Sequence, residues 1–352
     1  MSHLEIRQEK DLNEIRDHMI QQAEAVAKAV ENAVRAVQTH NKRLAWDTVL
    51  GDHPINRHMR QIDRLCHSFI AVHLPSAGPL RMLSSIIRAN LELERIGDYA
   101  VTICREAVQM SGPPQGPLER ELERVSGETL LMLRQAVRAF KEGNAELARG
   151  TRSIAEHLEH DMDMVYEELM ANSDRAQIKD NLAIFVVFTQ LKRVADQAKN
   201  LCEHTIFAVT GEQKPPKVYR LLFLDRENNR FGPLAIAIAS NSFPESGRYS
   251  TAGKVPAAEL DAQLVEFLEA RGLSIAERGP RSLAELTHPE LQEKHLIICL
   301  EGVIEDYFDQ IPFHTSVQEW ALGEAEDMET LYRALAARIK DMMELLRGEG
   351  AQ

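Results

Sequence analysis

Glu94 and Asp98 stand four residues apart in the run Leu93-Glu94-Arg95-Ile96-Gly97-Asp98-Tyr99-Ala100. On a helix this spacing puts both carboxylates on one face, about a turn apart, where they repel each other unless a cation lies between them. Asp196 and Asn200 have the same separation, with Glu203 one turn further along and Lys192 in the place of Glu94. Carboxylate and amide oxygens are hard ligands, suited to magnesium, calcium, manganese or iron rather than to a thiolate-type zinc site. The competing reading is a solvated acidic face paired with Arg95 or Arg193. For a lone E-x-x-x-D that reading is the better one; recurrence in apolar surroundings keeps metal beside it.

A second cluster is Glu156-His157-Leu158-Glu159-His160-Asp161-Met162-Asp163. On a helix His157 and Asp161 share a face and His160 and Asp163 nearly do, which allows metal ligation, although an exposed acidic stripe explains the pattern more simply. The aligned positions of the earlier repeat, His58 and Arg60, do not keep the carboxylates of Asp161 and Asp163. Any metal is therefore expected to be held unequally by the two repeats. Gly97 costs its helix about 1 kcal/mol relative to Ala, which implies close helix packing there, and its counterpart Ala195 is also small.

Long helices are needed to carry these residues, and the sequence supplies them before residue 211. Apolar residues recur at helical spacing, as in Ile20, Ala23, Ala27, Val30 and Val34, and again in Leu130, Leu133, Val137 and Phe140. Stretches of this length without strand signals imply antiparallel helical bundles. Pro54 is expected to interrupt the second stretch, the run from Leu74 to Pro79 to start a third, and Ser111 to Pro117 to be a linker. The second block repeats the first: Ala33-Val34-Arg35-Ala36 with Asn41, Leu44 and Ala45 recurs as Ala136-Val137-Arg138-Ala139 with Asn144, Leu147 and Ala148, at an offset of 103. The acidic segments answer each other at an offset of 98, a slip that fits unequal loops. Two bundles of about three helices each follow, over residues 1–112 and 117–211.

After Gly211 to Pro216 the pattern turns α/β, over residues 217–350. Val218 to Leu224 and His295 to Leu300 read as buried strands, Arg248-Tyr249-Ser250 as a further strand, and helices are expected from Pro233, over Ala258 to Arg271 and from Met328 to Leu346. Alternating strands and helices imply a parallel sheet with helices on its faces. The segment from Phe223 to Ala235 is a strand, a turn and a helix start, a geometry that can cradle an anion on backbone amides. Arg226, Asn228 and Arg230 are the candidates there; Asp225 and Glu227 oppose an anion, and a loop that binds nothing is an equal alternative.

Two families carry these motifs. The run Pro75-Ser76-Ala77-Gly78-Pro79-Leu80-Arg81 leading into Leu91 to Ala100, with its degenerate second copy, resembles the PhoU family of phosphate-uptake regulators over about residues 10 to 210. The resemblance implies paired three-helix bundles and a bound divalent or trivalent metal (iron, manganese, magnesium or zinc) with ligands at Glu94 and Asp98 and at Asp196 and Asn200. It also implies restraint of phosphate uptake and of phosphate-starvation signalling, through the ATPase of a phosphate ABC transporter and a membrane sensor kinase. The sequence departs from the family at Pro79, often acidic there, and at Lys192, which puts the second metal site in doubt.

Residues 217 to 350 resemble the low-molecular-weight tyrosine phosphatase and arsenate reductase family, through Phe223 to Ala235, Tyr249-Ser250-Thr251-Ala252-Gly253 and Gly272 to Ile275. That family's reaction needs a thiolate at the start of the loop and an arginine six residues later. Aligning Pro233-Leu234-Ala235 puts Asp225 at the cysteine and Phe231 at the arginine; aligning Arg230 puts Leu224 at the cysteine. Cys299 lies on another strand, and Asp306 and Asp309 fall in an expected surface loop. The domain therefore reads as catalytically degenerate. An active phosphatase or arsenate reductase with a regulatory helical domain is the alternative function, and a metal-storage or scaffold protein a third.

The composition agrees with a soluble regulator. Among 352 residues, 41 are basic and 54 acidic, for a formal charge of −13, which argues against a nucleic-acid binder and against membrane attachment except through a partner. With 44% hydrophobic and 27% charged residues the chain can bury a large core. The longest apolar stretch, Leu182 to Phe188, is seven residues against the roughly 20 that a spanning helix needs. The amino end lacks the apolar core of a signal peptide. The four cysteines are scattered, which suits a cytoplasmic protein with reduced thiols. Pairing of the long helices into a homodimer stays open, since no sustained heptad seam demands it.

Overall fold

The computed structural model describes residues 3–154, 178–273, 279–309, 311, 315–322 and 327–348. They form two compact units, Met1–Lys214 and Pro215–Gln352. The boundary falls in the Pro-containing segment where the composition changes.

The first unit is helical: α1 (His3–Thr39), α2 (Lys42–His73), α3 (Ala77–Gln109), α4 (Pro117–Glu142), α5 (Ala145–Arg152) and α6 (Ile178–Thr210). The duplication expected from sequence reaches down to single hydrogen bonds. Asn41 caps α2 by accepting from the Leu44 amide at 3.0 Å, and Asn144 caps α5 on the Leu147 amide at 3.0 Å. Thr48 and Thr151 return to the carbonyls of Leu44 and Leu147 in the same way. Both turns need a left-handed residue before the cap: the second supplies Gly143 (φ 61°), while the first forces His40 there (φ 47°). One continuous apolar core, from Ile15 and Met19 through Leu93 and Ile96 to Phe188 and Leu191, serves both repeats.

Pro54 does not break α2, contrary to the sequence expectation. Its ring removes the bond to the Leu50 carbonyl, a change that costs about 3 kcal/mol in a helix interior. Leu50 is 64% exposed, so water can take that carbonyl. The buried Thr48, Ile55 and Ile62 hold the helix to the core on both sides of the proline.

The second unit contains β1 (Tyr219–Asp225), α7 (Phe231–Ser242), β2 (Gly247–Gly253), α8 (Ala262–Arg271), α9 (His288–Gln292), β3 (Leu296–Cys299), β4 (Ser316–Glu319) and α10 (Met328–Arg347). All strand pairings are parallel, in the order β2-β1-β3-β4. Alternation along β1 sends Leu221 and Phe223 to one apolar layer with α7 and α10, and Leu222 and Leu224 to the other. Two expectations change. The helix expected from Ala258 starts at Ala262, because the Val255 and Ala257 amides are tied to the carbonyls of Arg226 and Glu227, and Asp261 supplies the cap. Strand β4 was not expected: Ser316-Val317-Gln318-Glu319 is a short, polar edge strand without an apolar run to announce it. Among the described residues no helix is long and apolar enough to cross a membrane.

Candidate metal-binding face and its second-repeat counterpart

Helix α3 carries Glu94 and Asp98 one turn apart, and α2 brings Asp52 against them. The Oδ1 of Asp52 would lie 3.1 Å from a Cβ added at Gly97, so the glycine between the two acids makes room for a third carboxylate. Asp52 Oδ2 accepts from Asn56 Nδ2 at 2.6 Å. The remaining oxygens, Asp52 Oδ1 and Asn56 Oδ1, are buried and have no hydrogen-bond partner. Burial and then the charge of Asp98 raise the pKa of Asp52; burial, Asp98 and Asp52 raise that of Glu94. The groups therefore lie close enough to repel. Asp52, His53 and Asp98 line a cleft of about 390 Å³ closed by Val49, Val101, Thr102 and Arg105.

Arg95, the neutralising partner considered from sequence, bonds to Glu92 at 3.4 Å, and its charge also offsets part of that of Glu94. Asp52 and Asn56 were absent from the sequence-derived candidates. Their signal was available: an acid and an amide four residues apart on α2, the spacing of Asp196 and Asn200.

The counterpart on α6 is built differently. Lys192 lies 3.7 Å from Asp196, and Lys214 holds Glu203 at 2.9 Å. Asn200 donates to Gln197 at 3.3 Å, and Arg193 sits 5.8 Å from the Tyr99 ring centroid. Glu92 of α3 faces this side. Burial would raise its pKa, but His204, 3.8 Å away, together with Asn200 and the charge of Arg95 holds it below the usual carboxylate range. The acids of the second repeat thus have cations from the chain itself. Asp161, with His157, His160 and Asp163, lies outside the described residues.

Among the described residues, no group of three or more His, Cys, Asp and Glu side chains is placed so that it could hold a metal ion. What the first repeat offers is a set of carboxylates that His53, Arg95 and Arg105 offset only in part, since the pKa values of Asp52 and Glu94 stay raised. The Oδ1 atoms of Asp52 and Asn56 are buried without partners, the condition that a hard cation relieves.

The loop after β1 does not gather the candidate anion ligands. Asn228 is fully buried, with Oδ1 accepting from Thr251 Oγ1 at 2.7 Å and Nδ2 donating to the Arg281 carbonyl at 3.2 Å. Arg226 is exposed, and the Arg230 guanidinium lies 5.9 Å from the Phe231 ring centroid. Asp225, at the head of the loop, is 1% exposed. Cys299 is buried, and its surroundings push the thiol up to about 12. Both side chains are withdrawn from solvent.

Comparison with known proteins agrees with the duplicated helical unit. The family model of the PhoU domain matches twice, over residues 19–107 and 122–205. A phosphate-specific transport system accessory protein PhoU homolog of Pseudomonas putida is 30% identical over 204 residues, covering 57% of this chain and 80% of the relative. The crystal structure of PhoU from Pseudomonas aeruginosa is 29% identical, covers 58% of this chain and 99% of that one, and superposes with a TM-score of 0.56. An arsenate reductase structure from Archaeoglobus fulgidus matches 37% of this chain with a TM-score of 0.29. Two copies of one helical design, matched in sequence and in fold across most of such relatives' length, make this chain a member of the PhoU family.

Proposed function

We propose that this protein is a metal-binding regulator of phosphate uptake and of phosphate-starvation signalling, acting through protein contacts rather than catalysis. Support for the phosphate role comes from the relatives, which are accessory proteins of the phosphate-specific transport system. Its partners would be the transporter's ATPase and a sensor kinase. The observation that carries the metal reading is the pair of buried, partnerless oxygens on Asp52 and Asn56 beside Glu94 and Asp98. Asp52, Asn56, Glu94 and Asp98 would hold the ion, with charge compensation as its chemical contribution. These residues then fix α2 against α3 and so set the surface offered to a partner. The second repeat does not fit an ion in the same way, because Lys192 and Lys214 already neutralise Asp196 and Glu203. A non-enzymatic α/β unit is supported by the buried Asp225 in the loop and the protonated, buried Cys299.

Elemental analysis of the purified protein, dialysed without chelator, tests the metal reading beside the variant Asp52→Ala with Asp98→Ala. Bound metal in the wild type and its loss in the variant is the expected result. Equal metal in both would sink the assignment. Expression in a bacterium lacking its own PhoU protein tests the role: a phosphate-starvation reporter should return to repression at high phosphate, and a reporter that stays fully active would refute it.

A further inference from the structure

The loop from Asp225 to Gly232 joins the carboxyl end of β1 to the amino end of α7. Here β1 has β2 on one side and β3 on the other, the crevice where open parallel sheets take ligands. The loop is built stiffly. Asn228 adopts φ 50° while fully buried, anchored on both sides by Thr251 and the Arg281 carbonyl. A Cβ at Gly253 would lie 2.8 Å from the Asn228 Cβ, and one at Gly232 would lie 2.0 Å from Thr251 Oγ1. Such packing fixes the directions of the loop amides, and what they point to is negative. The Gly232 amide donates to Asp225 Oδ2 at 3.1 Å, and the Arg226 amide donates to Glu301 Oε2 at 3.0 Å. Asp225 Oδ1 is buried in the same place without a hydrogen-bond partner, on a side chain only 1% exposed.

We propose that this loop is an oxyanion cradle whose anion is supplied by the chain: the Asp225 carboxylate occupies it, and Glu301 takes the amide at its mouth. Amides at a helix start favour negative charge, and a carboxylate held in place by the chain meets that need without the translational and rotational cost that a free ion pays. The two carboxylates also repel any second anion. The wild-type loop is therefore closed to inorganic oxyanions such as phosphate, and removing the internal anion opens it. This inference does not rest on the metal reading or on the phosphate-regulation role.

The test is titration of the full-length protein with inorganic phosphate by calorimetry, comparing wild type with Asp225→Ala carrying Glu301→Gln, and with thermal unfolding followed in parallel. The variant should bind phosphate at least about tenfold more tightly than the wild type, and added phosphate should raise its Tm while leaving that of the wild type unchanged. Equal phosphate binding by both, or a folded variant with no phosphate-dependent heat or Tm shift, overturns the proposal. Should the alanine variant fail to fold, Asp225→Ser, which keeps an acceptor for the Gly232 amide, is measured in the same way. Folding of either variant only with phosphate present supports the cradle; failure of both to fold even with phosphate overturns it.

Discussion

The acidic segments on α3 and α6 descend from one pattern, yet the chain treats them in opposite ways. On α3, Glu94 and Asp98 meet Asp52, another carboxylate, across Gly97, and burial and mutual repulsion outweigh the charges of Arg95 and Arg105. On α6, Asp196 and Glu203 meet Lys192 and Lys214, and the neighbouring Glu92 is held ionised by His204, Asn200 and Arg95. The difference teaches that a four-residue spacing of acids specifies a shared face but not its charge balance. The same helical motif is a candidate cation site or a salt-bridged surface according to what the neighbouring segments present.

The strongest break of this contrast is at Gly97. Gly97→Val forces a branched side chain into space where even a Cβ would lie 3.1 Å from Asp52 Oδ1, and is expected to cost about 2 kcal/mol as an overpacked contact. Urea unfolding should show a lower midpoint, and metal analysis a loss of ion from the first repeat; an unchanged midpoint would mean that α2 does not approach α3 this closely. Next is Lys192→Glu, which restores the E-x-x-x-D spacing on α6 and removes the internal cation. Bound metal per chain should rise relative to the wild type, and no gain would show that the second face lacks more than one acid.

The pH dependence of the two faces should have opposite signs. Asp52 and Glu94 have raised pKa values in the folded chain, so in metal-free protein their contribution favours the fold at low pH and is lost as pH rises through those folded values. Glu92 has a lowered pKa, so its contribution is present above its ordinary value and is lost as pH falls through the folded one. The Tm of chelator-treated Asp52→Asn, measured against wild type, should therefore improve as pH climbs from about 4 to 7. A difference that stays flat would dissolve the claimed repulsion. The smallest effect belongs to Lys214→Ala: its side chain is 60% exposed, so the loss is expected to be at most about 1 kcal/mol, read as a small fall in urea midpoint.

Much of the helical fold was legible in the sequence because helices are encoded within a few residues. The repeated Asn41 and Asn144 and the apolar stripes act over one or two turns, and the structure places them on matching helices as their spacing indicates. Pro54 leaves α2 unbroken because its cost is local while the packing of Ile55 and Ile62 that overrides it is not. Strand β4 carries no apolar signal because an edge strand can be polar. In the candidate site, Glu94 and Asp98 were readable from their own spacing, and Gly97 from its oddity in a helix.

The sequence by itself determined the duplication, the two kinds of architecture, the acids on one face of α3 and the absence of a cysteine at Asp225, since each is a matter of residue type and short-range periodicity. Tertiary structure alone decided which charges face one another: Asp52 comes to Gly97 from another helix, Lys214 reaches back to Glu203 from beyond the end of α6, and Asp225 folds into its own loop's amides beside Glu301. The physical reason is that electrostatic compensation depends on distance through space, and folding brings together carboxylates, lysines and amides that no spacing along the chain relates.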